Sequence, residues 1–103
     1  MTKHDKAIRD NIPEIIKKSG KSSNAKSLSN SKFLEELEKK LSEELQEYQN
    51  SKSIEELADL IEVIHRISEL RGTSVEELEK IRLAKAKKNG IFEKNLFLID
   101  IDD

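Results

Sequence analysis

The sequence contains no cysteine and no tryptophan, one proline, three glycines and only four aromatic residues in 103. The missing cysteines exclude disulfide frameworks and thiolate metal sites. Two valines and four aromatics leave little material for a sheet. No apolar run approaches the roughly 18 residues of a membrane span, so no membrane partner is expected. The opening Met1-Thr2-Lys3-His4-Asp5 lacks the apolar core of a secretory signal, which points to a cytoplasmic protein. The net charge is only −2. An isoelectric point near 5.8, an acidic centre and too few aromatic platforms argue against nucleic-acid binding.

Leu, Ile, Val and Phe supply 29 of the 103 residues, enough at this low net charge to argue against intrinsic disorder. The length suits a single domain over 1–103. Ala, Glu, Lys, Leu and Arg make up 51 residues, the usage of helical proteins. Charge is unevenly distributed. Residues 31–50 hold 3 basic and 6 acidic side chains, and 53–71 hold 2 and 5. Residues 80–94 reverse this with 6 basic and 1 acidic, and residues 1–21 hold 6 and 3. An acidic middle flanked by basic ends is a first hint of function.

Four helices are expected. Asn11-Ile12-Pro13-Glu14 starts a short first helix that Ser19-Gly20 closes. The polar stretch from Lys21 to Ser31 reads as a connection, with Ala25–Leu28 a candidate short strand. A second helix runs from about Ser31 to Asn50, with Leu34, Leu37, Leu41, Leu45 and Tyr48 on one face. A third starts at Ser53-Ile54-Glu55-Glu56, a capping-box pattern, and stops before Gly72. Its apolar residues wrap most of the circumference, so it should be central, with neighbours on more than one side. A fourth follows Thr73-Ser74 and ends at Gly90. Leu96–Ile101 reads as a C-terminal strand or extended arm. The fold class is therefore mainly α.

Two carboxylate groups stand out, Glu43-Glu44-x-x-Glu47 and Glu56-x-x-Asp59. A spacing of three puts both members of a pair on one helix surface. In helices this rich in glutamate, a solvated acidic face is the default reading. The helical wheel favours another. Glu44 falls inside the apolar arc of the second helix and Glu47 just beyond its edge. Glu56 falls between Val63 and Ile67, with Asp59 at the margin. Converging buried carboxylates are costly unless a cation lies among them. Four carboxylates without cysteine or a histidine cluster suit Mg²⁺, or Mn²⁺, rather than Zn²⁺. Glu62-Val63-Ile64-His65 matches the Glu-x-x-His unit of di-iron bundles, but such sites need two units and the chain has one. Lys6 and Arg9 near the first helix, and Arg82 and Lys85 on one stripe of the fourth, are candidate phosphate contacts, against the plainer reading of ordinary surface cations.

These residues resemble a known family. Glu43-Glu44-x-x-Glu47 followed by Glu56-x-x-Asp59 is similar to the signature of the all-α nucleoside triphosphate pyrophosphohydrolases, the MazG-like superfamily. Lys6-x-x-Arg9-Asp10-x-Ile12-Pro13-Glu14-Ile15-Ile16, Ser53–Leu60 and the Gly90-x-Phe92 turn resemble its phosphoribosyl-ATP pyrophosphohydrolase-like group. Asn89-Gly90-Ile91 departs from the Arg-Gly-Gly that relatives often show. The resemblance implies a four-helix-type bundle and Glu44, Glu47, Glu56 and Asp59 as metal ligands. It implies hydrolysis between the α and β phosphates to a monophosphate and pyrophosphate, with abnormal nucleotides and phosphoribosyl-ATP of histidine synthesis as alternative substrates. Either Glu44 or Glu47 would act on the water. Relatives usually assemble as homodimers or higher homo-oligomers, and the third helix's broad apolar surface leads to the same expectation. The alternative from another class is a non-catalytic helical interaction protein whose charged stripes only guide assembly.

Overall fold

The computed structural model describes residues 3–102. Its elements are α1 (Ile12–Lys18), α2 (Asn30–Ser51), α3 (Ile54–Leu70) and α4 (Val75–Asn89). The all-helical class is as expected from the composition.

Local chemistry accounts for the boundaries. Pro13 occupies the first turn of α1, where its missing N–H is no loss, and Gly20 follows the helix at φ +90°. The Ser29 hydroxyl accepts from the Lys32 N–H at 3.3 Å to open α2. The Ser74 hydroxyl does the same for Glu77 at 3.1 Å to open α4. Lys52, in the left-handed region at φ 59°, closes α2, and with Ser53 forms the two-residue link to α3.

So short a link forces α2 and α3 into an antiparallel hairpin. Ion pairing confirms the register: Glu38 early in α2 meets Arg71, just after α3, at 2.8 Å. The core is small. Leu37 of α2 and Val63 of α3 are buried with Ala7, from the segment preceding α1, and Phe33, Leu41, Ile67 and Leu70 pack around them. The residues before α1 thus lie against the hairpin.

α4 packs on α3 but not on α2, and α1 packs on none of the other helices. The helices therefore do not close a four-helix bundle within one chain. α3 is central, as its sequence requires, yet Ile61 and Ile64 stay substantially exposed. Among the described residues there is no strand. Residues 25–28 and 96–101 have no regular structure. A strand must pair along its edge, and neither segment has another to pair with. Leu96–Ile101 is irregular and exposed. Among the described residues, no helix is long and apolar enough to cross a membrane.

Candidate metal centre

The α2–α3 hairpin brings the acidic residues of both helices together. One carboxylate oxygen each from Glu44, Glu56 and Asp59 lies within 4.8 Å of the others, and Glu43, Glu44 and Glu47 form a second such group. Glu44 belongs to both and joins the two helices' contributions.

Burial within the cluster is graded. Glu44 is only 6% exposed and is the sole buried polar residue among those described. Glu56 and Asp59 are half-buried, and Glu47 is exposed. On α2 this follows the helical wheel, with Glu44 turned inward and Glu47 outside; on α3 Glu56 and Asp59 are both half-buried. The side chain of Glu56 also gives up a local role. In a capping box it would reach back to the Ser53 N–H. Here that N–H donates to the Ser51 hydroxyl at 3.2 Å, and the Ser53 hydroxyl makes no capping bond. The capping box expected at Ser53 is therefore not formed, and Glu56 faces α2 instead.

Two oxygens of the cluster lack partners. Glu44 Oε2 and Glu56 Oε2 are buried without any hydrogen-bond partner. Buried polar atoms are seldom left unsatisfied, and a carboxylate oxygen is costly to strand. Lys40, one turn before Glu44, approaches Glu44 Oε1 at 3.4 Å. Even so, burial and the neighbouring Glu47 push the Glu44 carboxyl above its usual range, against the opposing pull of Lys40. The donor set is entirely carboxylate oxygen, which suits a hard divalent cation.

Two of the four expected phosphate contacts adjoin this cluster. Arg9 Nη2 donates to Asp59 Oδ1 at 2.7 Å and its other terminal nitrogen lies 3.8 Å from Glu62. Lys6 Nζ stands 3.5 Å from Glu43. Arg82 and Lys85 are not brought to the carboxylates within the chain, because α4 does not touch α2. Arg82 donates to Glu79 through two nitrogens, which holds the Glu79 carboxyl below its usual range. Helix-wheel reasoning could align the stripe on α4 but not locate it relative to α2. His65 belongs to neither acidic group. Lys40 is not singled out by the sequence, and Glu43, although part of the first acidic motif, is not among the expected ligands. The i, i+4 spacing of Lys40 and Glu44 was the available signal for Lys40. A scan against protein-family models finds no matching family, and comparisons with curated proteins and with solved structures return no similar chain.

Proposed function

We propose that the protein is a metal-dependent nucleotide pyrophosphohydrolase. It would cleave a nucleoside triphosphate, or a related nucleotide such as phosphoribosyl-ATP, between the α and β phosphates. The observation that carries this reading is the pair of buried, partnerless oxygens of Glu44 and Glu56 inside a cluster drawn from two helices. The resemblance of the acidic motif and of Lys6–Ile16 to MazG-like proteins narrows the reaction.

In this reading Glu44, Glu47, Glu56 and Asp59 hold Mg²⁺ or Mn²⁺. When bound, the cation supplies neutralisation of the triphosphate charge and activation of a water. The chain's own residues do the rest. Glu44 or Glu47 takes the proton of the attacking water as the α–β anhydride bond breaks and pyrophosphate leaves. Lys6 and Arg9, already beside the cluster, move from carboxylate to phosphate. Their present pairs are half-exposed and weakly held, so the exchange is inexpensive.

The test is a product assay over a panel of nucleoside triphosphates and phosphoribosyl-ATP with Mg²⁺ or Mn²⁺. Pyrophosphate plus a monophosphate is expected from at least one. Orthophosphate as the primary product, or no turnover of any, overturns the reading. A non-catalytic interaction protein is the second reading, favoured by the exposed apolar side chains of residues 91–101. It leaves the partnerless oxygens unexplained.

A further inference from the structure

Arg9 has two settings. Its guanidinium binds Asp59 at the acidic cluster, and the residue also lines an open groove of about 340 Å³ between the segment preceding α1, residues 25–30 and the helices α2 and α3. That volume falls within the range of small-ligand sites. Three cations, Arg9, Lys26 and Arg66, border the groove against one carboxylate, Asp10. Arg9 is paired with Asp59 and Arg66 with Glu69, so an anionic occupant would draw these two guanidinium groups from half-exposed pairs and meet Lys26 as well.

Two further features favour a flat, polar heterocycle as the rest of that occupant. Phe33 lines the groove while packing on the buried core of Ala7, Leu37 and Val63, so its ring is held in place before any ligand arrives. Bases bind such aromatic surface readily because every base has a π-face. Ala25–Leu28 line the same groove. Among the described residues their backbone N–H and C=O groups make no backbone hydrogen bonds. Free donors and acceptors beside an aromatic ring are what recognition of a base edge requires.

We propose that this groove is the subsite for the nucleoside monophosphate half of the substrate. The base lies against Phe33 and is read by the backbone of Ala25–Leu28, while Arg9, Lys26 and Arg66 hold the adjoining phosphate. Because Arg9 also reaches Asp59, the rest of the polyphosphate is directed toward the carboxylates. The proposal rests on the pyrophosphohydrolase reading for the identity of the ligand.

Calorimetric titration of the full chain with the common ribo- and deoxyribonucleoside monophosphates, and with inorganic phosphate, tests it apart from catalysis. At least one monophosphate should bind, about tenfold or more tighter than phosphate alone. Combined Lys26→Gln and Arg66→Gln, both on exposed side chains, should weaken that binding about tenfold or more while leaving the circular dichroism spectrum unchanged. Glu56→Gln should abolish hydrolysis yet keep the monophosphate affinity. Absence of monophosphate binding, equal binding of inorganic phosphate, or full affinity in the double variant overturns the groove assignment. If triphosphate cleavage is observed with any of these results, the reaction stands and only the groove falls. If monophosphates bind through Lys26 and Arg66 but no triphosphate is cleaved, the groove stands and the reaction falls.

Discussion

Glu44 combines a nearly closed environment with a charge that its surroundings only partly offset. Its carboxyl lies above the usual range because burial and Glu47 outweigh Lys40. A raised carboxyl means the folded protein holds that proton to higher pH than the unfolded chain does. Stability is therefore full below the unfolded value near 4.5 and declines as pH rises through the folded value. Glu44→Gln keeps an oxygen for Lys40 and removes the charge. In urea titrations without metal it should equal or exceed the wild type at pH 7, with the gap closing at acid pH. A clear loss at pH 7 would mean that the Lys40 pair outweighs burial. Metal should reverse the balance. Binding only to the folded state adds about 2.7 kcal/mol at a hundredfold excess over Kd, some 10–20 °C in Tm for a domain of this size. Glu56→Gln should lose most of that rise, while Glu69→Gln, on an exposed side chain paired with Arg66, should keep it. An equal metal response in both variants would make the cluster a coincidence of composition. The inward turn of Glu44 was legible because a carboxylate stood at an apolar-periodic position. The approach of Lys40 and Lys6 was not, since a wheel gives direction but neither reach nor the path of the segment preceding α1.

At the scale of elements, three serines in equivalent positions behave differently. Ser29 and Ser74 cap their helices through the hydroxyl, and Ser53 does not. Ser74→Ala should cost about 1 kcal/mol, as cap removal does, and Ser53→Ala only a few tenths. Urea midpoints of the two variants check this. Equal losses would return Ser53 to a capping role and remove one reason for Glu56 to face α2. The capping pattern at Ser53 was readable, but the competition for Glu56 between its own helix end and the opposing helix was not. The helices themselves were legible to within about a residue, because Pro13, Ser53, Ser74 and the glycines punctuate continuous 3.6-residue periodicity. Ala25–Leu28 and Leu96–Ile101 were harder. Apolar content allows a strand, but only a distant pairing partner makes one, and periodicity carries no information about partners.

The whole molecule is extended for its length. Its radius of gyration is 18.1 Å, against about 13 Å for a compact chain of some 100 residues. Much apolar surface is left uncovered. Phe92 is fully exposed and Phe97 88% exposed, with Leu96, Leu98, Ile99 and Ile101 similarly open. Ile61 and Ile64 of α3 and Ile81 and Leu83 of α4 are also uncovered. One molecule thus carries both an apolar segment and apolar helix faces, so a second copy can satisfy both at once. Charge agrees: Asp100 and Asp102 end the segment, and Lys85, Lys87 and Lys88 end α4. We therefore expect a homodimer in which residues 91–102 of each copy lie on α3 and α4 of the other. Burying each large apolar side chain contributes about 1.5–3 kcal/mol, so losing two from each copy, four per dimer, should weaken association about ten-thousandfold or more. Sedimentation velocity at micromolar concentration should show a dimer for the wild type and predominantly monomer for Phe92→Ser combined with Phe97→Ser. A wild-type monomer would sink the expectation, and a variant as dimeric as the wild type would move the interface away from residues 91–102.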